Sequence, residues 1–274
     1  MRPLYPISLI FIFALSHIIF RSGDVSCQKI LEPNEAGRIM VLMYHGIGLK
    51  ERKWIRSIEN FKKDLKILYE KDYRPVPLKR VVEGKIDIKA GYTPVVLTFD
   101  DGRQDNFRII EGEKEPIVDP DCAVGILEQF QEEHPEFKST ATFFLNGQTP
   151  FGQPEWVEYK LNYLVSRGMD VGNHTTSHDN LRLDKYSKPK AIQRAIGEQA
   201  EFLMGKILEK YNYRVNILAL CHGARPKDRN LYKYLKSGNY KGFVYENVAV
   251  LNVGSGPMHS PFAKKFNSMS IPRI

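Results

Sequence analysis

Short apolar runs alternate with longer stretches of helical periodicity along most of the chain. The run at 93–99 is continuously apolar at its centre, which indicates a strand buried on both faces, as in a parallel sheet. The segment 57–69 repeats apolar residues at helical spacing behind Ser57, a residue type that caps helix N-termini. Together the patterns predict strands at 39–44, 93–99, 140–145, 169–172, 215–220 and within 242–253, and helices at 57–69, 121–130, 155–165, 191–211 and 231–235.

This alternation of strands and helices is typical of βα units. Six or seven such units in one body indicate either a parallel barrel or a doubly wound sheet, and the pattern does not separate the two. In both architectures the active groups lie where the strands end. Polar clusters that directly follow predicted strands are therefore the first candidates for a functional site.

The N-terminal segment departs from this pattern. Residues 3–20 contain no Asp, Glu, Lys or Arg, and Arg2 precedes them. This stretch is marginal for a spanning helix, which needs about 20 apolar residues, and it is typical of an export signal. We predict a signal peptide or membrane anchor at 1–26, a linker at 27–37 and a single catalytic domain at 38–274. The protein would be exported, secreted or anchored on the outer face of the cytoplasmic membrane, with membrane contact only through the N-terminal segment.

Charge and cysteine content narrow the possible partners. The formal net charge is +8, from 40 basic and 32 acidic residues spread along the chain. Because no run of five or more basic residues occurs, we predict no nucleic-acid partner. The three cysteines have no regular spacing, so they predict no disulfide framework.

Two adjacent carboxylates, Asp100 and Asp101, follow the buried strand at 93–99 and precede Gly102. The pair Asp101-Gly102 alone indicates a turn, but a turn does not explain why a second carboxylate, Asp100, precedes it. Neighbouring side chains at a strand end face opposite ways, so these two carboxylates have different surroundings. One of them could bind a metal ion while the other handles a proton.

A second cluster, His174 and His178, follows the predicted strand at 169–172. Two histidines four positions apart converge on one ion if the segment is helical or tightly turned. One Asp oxygen and two imidazole nitrogens make a three-ligand set that leaves positions open for water and substrate. No Glu lies between the histidines, so the base must come from elsewhere, and Asp100 is the available carboxylate.

A third cluster, Cys221, His222 and Gly223, follows the predicted strand at 215–220. A glycine there would let backbone N–H groups approach a substrate closely, as an oxyanion site requires, although a plain loop at the rim is an equal interpretation. His45 also follows a strand and is either a cleft residue or a structural histidine. The chain contains no nucleophile elbow, phosphate-binding glycine loop or dinucleotide fingerprint, which disfavours covalent serine catalysis, phosphoryl transfer and hydride transfer.

The first two clusters resemble a known family. Thr98-Phe99-Asp100-Asp101-Gly102 and His174-Thr175-Thr176-Ser177-His178 are similar to the first two motifs of the metal-dependent polysaccharide deacetylases, carbohydrate esterase family 4. Further landmarks are Met43-Tyr44-His45-Gly46, Ala141-Thr142-Phe143-Phe144 and Leu218-Ala219-Leu220, so the resemblance runs from about Met40 onwards. It implies a distorted (β/α) barrel of about seven units.

The resemblance also implies a reaction and its residues. Asp100 would be the general base, and Asp101, His174 and His178 would hold a divalent metal, typically zinc, sometimes cobalt or another ion. The protein would then be a hydrolase that removes N-acetyl groups from a polysaccharide such as peptidoglycan or a chitin-like N-acetylglucosamine polymer of a cell wall. The backbone at His222 and Gly223 would contact the substrate.

Two positions depart from the family pattern. Cys221-His222-Gly223 stands where Pro-Tyr-Gly is usual, and His259 is the one late histidine available as a general acid, in a sequence that does not match the usual motif. The altered third motif leaves a non-catalytic glycan-binding module open as an alternative. A glycoside hydrolase that pairs Asp100 with a second carboxylate is another.

Overall fold

The computed structural model describes residues 34–110, 112 and 115–274. The predicted N-terminal leader and most of the predicted linker lie outside these residues. No helix in the described part of the chain is both long enough and apolar enough to cross a membrane.

The strands are β1 Arg38–Tyr44, β2 Gly46–Gly48, β3 Ile55–Ser57, β4 Tyr73–Pro75, β5 Thr93–Phe99, β6 Ile109–Ile110, β7 Ile117–Val118, β8 Thr142–Leu145, β9 Asp170–Asn173, β10 Ile217–Ala219, β11 Ser237–Tyr240, β12 Phe243–Glu246, β13 Ala249–Ser255, β14 Met258–His259 and β15 Ile271–Arg273. The helices are α1 Ile58–Glu70, α2 Leu78–Val82, α3 Ala123–Glu133, α4 Val157–Ser166, α5 Pro189–Lys206 and α6 Lys233–Lys236.

A parallel sheet forms the centre of the structure. Its strands follow the order β1, β5, β8, β9, β10, β13 and β15, and every neighbouring pair is parallel. Ile274, directly after β15, bonds back to β1, since its N–H donates to the Val41 carbonyl and its carbonyl accepts from the Met43 N–H. These bonds bring the two ends of the sheet together. The architecture is therefore a distorted barrel of seven parallel strands, which confirms the fold implied by the resemblance and excludes the doubly wound sheet.

Local sequence signals account for the first units of the barrel. The strand at Thr93–Phe99 has the predicted bounds, and all but its first residue are buried, as a continuous apolar run requires. α1 begins directly after Ser57, whose Oγ accepts a hydrogen bond from the Asn60 N–H at 3.2 Å. The predicted N-cap at Ser57 is confirmed.

α5 ends earlier than predicted, at Lys206 instead of residue 211. The reason is a contact from α4. The Asn162 side chain donates to the Lys206 carbonyl at 2.9 Å and accepts from the Leu208 N–H at 2.8 Å. These two bonds satisfy the Lys206 carbonyl and the Leu208 N–H, which would otherwise pair within a further turn of helix. Ile207, between them, takes an extended conformation.

The barrel interior is filled by side chains that alternate along the strands, so it is a packed core and not a pore. A second apolar layer lies between the sheet and its helices and includes Phe61, Phe99 and Phe143. Both layers leave the strand ends as the accessible positions for chemistry. The interior layer is formed by residues that include Ile39, Val41, Val96, Phe144, Ile217, Ala219, Ala249 and Leu251.

Candidate active site

The two carboxylates after β5 separate because the chain turns sharply between them. Asp101 has φ of 75° and Gly102 has φ of 57°, both in the left-handed region. A Cβ at Gly102 would lie 2.9 Å from Leu145 Cδ2, so this turn favours glycine twice over. As a result Asp100 is only 2% exposed, whereas the Asp101 side chain is 29% exposed.

Asp100 forms a buried ion pair with Arg273, which is fully buried. Arg273 Nη1 donates to Asp100 Oδ1 at 2.6 Å and Nη2 donates to Oδ2 at 2.7 Å, the bidentate geometry that binds a carboxylate most strongly. Burial alone would raise the pKa of Asp100, but Arg273 and then His174 hold it below its ordinary value. Asp100 is therefore an ionised carboxylate inside the protein.

His174, which follows β9, is oriented by the neighbouring strand. Its Nδ1 lies 2.9 Å from the Ala219 carbonyl, which accepts a hydrogen bond and so assigns the proton to Nδ1. Nε2 then faces the carboxylates, 3.5 Å from Asp101 Oδ1 and 3.9 Å from Asp100 Oδ2. Burial opposes a charge on this imidazole, but Asp100 and Cys221 raise its pKa well above the ordinary value.

His178 approaches the same oxygen from a strained loop. Its Nε2 lies 3.3 Å from Asp101 Oδ1, and its φ is 50°. Thr175, in the same loop, also has a positive φ, at 60°. Such conformations cost free energy and persist where surrounding contacts enforce them, which is common at functional sites. Here the enforcing contacts are hydrogen bonds at both ends of the loop.

The loop from Asn173 to Asp179 is held in place by its own polar side chains. Asn173 Oδ1 accepts from the Thr175 N–H at 2.8 Å, and Thr175 Oγ1 accepts from the Asp179 N–H at 2.7 Å. Asn173 Nδ2 also donates to the Ile196 carbonyl on α5. The Tyr186 hydroxyl donates to Asp179 from the far side. The two histidines are therefore presented on a rigid support.

The donor atoms at this point fit a divalent metal ion. Asp101 Oδ1 is buried and has no hydrogen-bond partner, although two imidazole nitrogens lie within 3.5 Å of it. Tetrahedral bonds of about 2.0–2.2 Å to zinc place ligand atoms roughly 3.4 Å apart, close to these separations. One carboxylate oxygen and two imidazole nitrogens form a donor set that a divalent cation such as zinc binds. Asp101, His174 and His178 are the residues that could hold it.

Cys221 offers an alternative third ligand. Its Sγ lies within 4.8 Å of ligand nitrogens of His174 and His178. The thiol, however, is buried and already donates to the His174 carbonyl at 3.1 Å, whereas Asp101 Oδ1 has no partner. We therefore favour the Asp-His-His set and assign Cys221 a supporting contact behind His174.

His45 directly follows β1 and contacts the ring of Trp54. The centroid of the His45 ring lies 4.8 Å from that of Trp54, which is exposed, and the two ring planes are tilted by 43°. Burial lowers the pKa of His45, and the charges of Asp100 and Asp101 oppose this shift. His45 is thus a half-buried imidazole whose pKa is influenced by the charges of both carboxylates, which supports its interpretation as a cleft residue.

The third cluster reaches the site through His222. Its ring lies 4.6 Å from the ring of His178, and its φ is 56°. Gly223 does not offer an oxyanion donor, because its N–H already donates to the Leu220 carbonyl at 3.0 Å. A Cβ at Gly223 would approach Val253 Cβ to 3.1 Å, so the glycine serves close packing at the rim.

His259 lies at the wrong end of the barrel to act at this site. It belongs to β14, which pairs antiparallel with β1 and places His259 opposite Arg38, the first residue of β1. The carboxylates and metal-ligand candidates follow the last residues of the strands. His259, the one late histidine that the sequence offered as a general acid, is therefore not placed to act at this site.

Sequence reasoning also missed Arg273, the partner of Asp100. The available signal was an arginine between Ile271 and Ile274 in an otherwise apolar strand. A charge in such a run predicts a buried ion pair, but the partner 173 residues away cannot be read from the sequence.

Comparisons with known proteins agree with this architecture. A family model described as polysaccharide deacetylase matches residues 88–243, more than half of the chain, including both carboxylates and both histidines. No curated protein matches the sequence. His45 and Arg273 lie outside the matched range.

Solved structures of three bacterial proteins share the fold. The Streptococcus pyogenes deacetylase PplD, in complex with acetate, has a TM-score of 0.61 at 17% identity over 86% of this chain and 91% of that chain. BC0361, a polysaccharide deacetylase from Bacillus cereus, has a TM-score of 0.59 at 18% identity over 86% of this chain and 64% of its own. IcaB from Ammonifex degensii has a TM-score of 0.57 at 18% identity over 89% of this chain and 93% of that chain. With the match at 88–243, the chain belongs to the polysaccharide deacetylase family, hydrolases that act on carbon–nitrogen bonds of N-acetylated polysaccharides.

Proposed function

We propose that the protein is a metal-dependent deacetylase that removes N-acetyl groups from peptidoglycan or a chitin-like N-acetylglucosamine polymer. One observation carries this proposal. Asp101 Oδ1, a buried oxygen without a hydrogen-bond partner, faces two imidazole nitrogens beside an ionised, arginine-paired Asp100. This arrangement supplies a cation site and a base at one strand edge, the two elements that hydrolysis of an acetamide requires.

Asp101, His174 and His178 would hold the ion, for which zinc is the first candidate and cobalt or another divalent metal the alternative. Such an ion supplies Lewis acidity, which polarises the acetamide carbonyl and makes water a stronger acid. The set leaves coordination positions open for the reactants. The Nδ1–H donation from His174 to Ala219 keeps Nε2 available as a ligand atom.

Asp100 takes the proton of the attacking water. Its Oδ2 lies 3.9 Å from His174 Nε2, one of the three proposed ligand atoms. Arg273 fixes the carboxylate plane and keeps it ionised before the reaction begins. The water oxygen then bonds to the carbonyl carbon, the carbon–nitrogen bond breaks, and acetate and a free amine are the products.

The leaving nitrogen needs a proton, and His45 is our candidate for the group that gives it. It is half-buried at the end of β1, close enough to Asp100 and Asp101 to feel their charges. A lowered pKa keeps His45 neutral in the free protein, so it acts after it has received a proton within the site.

The substrate and location follow from the family and the leader. The structure of PplD from Streptococcus pyogenes contains acetate, the product expected here. The apolar segment 3–20 would export the protein to the outer face of the cytoplasmic membrane, where cell-wall glycans are accessible.

Acetate release from N-acetylglucosamine oligosaccharides and from peptidoglycan, combined with metal analysis of the purified protein, tests the proposal. We expect turnover that needs a bound divalent ion and is lost in Asp100→Asn, because Asn cannot accept the proton. Asp121→Asn, which changes an exposed carboxylate, is the matched control and should retain activity.

Three outcomes would contradict the assignment. Full turnover in His174→Ala would exclude it as a ligand. Glycan binding by metal-loaded protein without acetate release would favour the non-catalytic binding module. New reducing ends without acetate would favour the glycoside hydrolase.

A further inference from the structure

Trp54 is exposed in a tight turn between β2 and β3. The Arg52 N–H donates to the Ile55 carbonyl at 2.8 Å, and the Ile55 N–H donates to the Arg52 carbonyl at 3.1 Å. Lys53 and Trp54 are therefore the two central residues of a closed turn, positions that favour Gly, Asn, Asp and Ser. The tryptophan is 53% exposed and leaves much of its apolar surface in water, so a ligand that stacks on it would recover free energy.

The strand register places this turn at the catalytic end of the barrel. Tyr44, the last residue of β1, pairs with Phe99, the last residue of β5. His45 and Asp100 are therefore the next residues on two adjacent parallel strands. The ring centroid of Trp54 lies 4.8 Å from that of His45. Trp54 thus contacts the residue that follows β1 where the proposed base follows β5.

Hydrogen bonds on both sides of the turn hold its backbone in this place. The Gly46 N–H donates to the Trp54 carbonyl at 2.9 Å. Glu51, just before the turn, accepts from the Ser57 N–H at 2.8 Å and from Arg56 Nη1 at 3.1 Å. A platform that is ordered before binding loses little conformational entropy when a ligand stacks on it.

A partly exposed ion pair packs on the same stretch of backbone. Arg103 Nη2 donates to Asp105 Oδ2 at 2.9 Å, and the two side chains are 40% and 26% exposed. A Cβ at Gly46 would lie 2.7 Å from Arg103 Nε and 3.1 Å from Asp105 Oδ2, so glycine is needed for this close approach. An aromatic turn and a polar pair are thus gathered around one glycine at the catalytic end.

This combination suits a sugar ring. The C–H bonds of a pyranose with equatorial hydroxyl groups form an apolar face, and the face of an indole is apolar and carries negative π charge, so the two stack. The hydroxyl groups around the sugar need donors and acceptors, which Arg103 and Asp105 supply as guanidinium N–H groups and carboxylate oxygens. N-acetylglucosamine, the sugar of the proposed substrate, has this equatorial arrangement.

We propose that Trp54 stacks on the sugar next to the one whose acetamide reacts, and that Arg103 and Asp105 bind the hydroxyl groups of the stacked sugar. The inference rests on the proposed function for the identity of the polysaccharide. The exposed Lys53 side chain, whose Nζ lies 5.3 Å from the centroid of the Trp54 ring, is displaced by the sugar. The subsite lies partly outside residues 88–243, the range that the family model matches.

Trp54 and Trp156 are the two tryptophans of the chain, which allows a direct test by fluorescence. Trp156→Phe leaves Trp54 as the single emitter, and Trp54→Phe leaves Trp156, a partly buried residue that contacts Tyr159. The metal-loaded full chain is mixed rapidly with the N-acetylglucosamine tetramer or with muramidase-released peptidoglycan fragments. Emission and acrylamide quenching are measured before turnover.

We expect the glycan to shift the emission of Trp54 to shorter wavelength and to protect it from acrylamide, because a stacked sugar excludes water from the indole. The emission of Trp156 should not change. An unprotected Trp54 in a protein that releases acetate from the same glycan would overturn the inference and leave the proposed reaction standing, and so would equal changes at both tryptophans. Protection of Trp54 without acetate release would support the subsite and contradict the proposed reaction.

Kinetics separate substrate binding from the chemical step. A stacked sugar covers roughly 60 Å² of indole, about a quarter of the surface that a tryptophan can bury, which corresponds to about a tenfold change in affinity. We therefore expect Trp54→Ala to raise KM for the oligosaccharide about tenfold with kcat nearly unchanged, and Trp54→Phe to recover most of the loss.

Phe262→Ala is the matched control for this variant. Phe262 is 58% exposed in the loop after β14, and β14 pairs with the first residues of β1, at the other end of the barrel. Its removal should leave KM at the wild-type value. A wild-type KM in Trp54→Ala would contradict the subsite, and so would a lower kcat at unchanged KM, which would show that Trp54 acts by positioning His45.

Discussion

Replacement of Arg273 by Met isolates the electrostatic role of the buried ion pair. Met has a comparable length and fills much of the same space, but it leaves Asp100 as an uncompensated buried charge. Both side chains are almost inaccessible, and the pair is bidentate. Removing one partner of such a pair generally costs about 3–5 kcal/mol, a large part of the roughly 5–15 kcal/mol that stabilises a domain. We expect a loss of that size at pH 7.

The pH dependence of this loss identifies its cause. In the wild-type protein the pKa of Asp100 is lowered, so the stability that ionised Asp100 contributes is present above the unfolded value, near pH 4, and disappears as the pH falls below it. Without Arg273, burial dominates and raises the pKa of the same carboxyl. The variant then gains stability relative to wild type as the pH falls from 7 to 5, because Asp100 takes up a proton.

Urea unfolding at pH 7 and pH 5 measures both effects. Asp100→Asn/Arg273→Met should recover part of the lost free energy of unfolding, because no charge remains buried. Arg225→Met is the matched control, since Arg225 donates only to the neutral groups of Asn252 and Met269 and its loss should not depend on pH. The reasoning is refuted if Arg273→Met loses the same free energy at both pH values and the double variant is no more stable.

Three further changes test other parts of the structure. Asp101→Asn keeps the shape of the side chain but removes its charge, so we expect divalent-ion affinity to fall at least tenfold in a competition titration with a chromophoric chelator; unchanged affinity would favour Cys221 as the third ligand. Burial raises the pKa of Asp170 to about 6, so the free energy of unfolding should fall by about 3 kcal/mol as the pH rises from about 4 to 6, and Asp170→Asn should flatten this dependence. Gly223→Ala places a Cβ at φ of 62° and 3.1 Å from Val253 Cβ, and we expect a loss of about 1–3 kcal/mol in thermal unfolding together with a higher KM for oligosaccharides; wild-type values would show that the rim accommodates the methyl group.

Local signals determined how much of the fold could be predicted. The strand Thr93–Phe99 and the cap at Ser57 depend on neighbouring residues, and both were predicted from the sequence. The end of α5 depends on Asn162, which is distant in sequence and packs against Lys206 only in the folded state. The pattern alone also left the barrel and the doubly wound sheet unresolved, because closure depends on bonds between Ile274 and β1.

The residues of the candidate site also divide into those that the sequence indicates and those that only the folded structure reveals. The resemblance supplied Asp100, Asp101, His174 and His178, and the structure brings these four side chains together. Their roles stay predictions until metal binding and turnover are measured. The sequence did not indicate Arg273, because its pairing with Asp100 depends on the last strand packing beside the first. It offered His259 as the one late histidine, and only strand pairing shows that this residue lies where β1 begins.

Closure of the barrel by β15 has a consequence for the order in which the protein is made. Asp100 and Arg273 are 173 residues apart, so at about 5–20 residues per second the ribosome adds Arg273 roughly 9–35 s after Asp100. Until then, burial of Asp100 is penalised and the sheet lacks its closing strand. We therefore expect stable folding only after β15 has been made, because an earlier compact state lacks both the closing strand and the charge that compensates Asp100. Export of the protein as an extended chain, which the proposed location requires, would benefit from this delay.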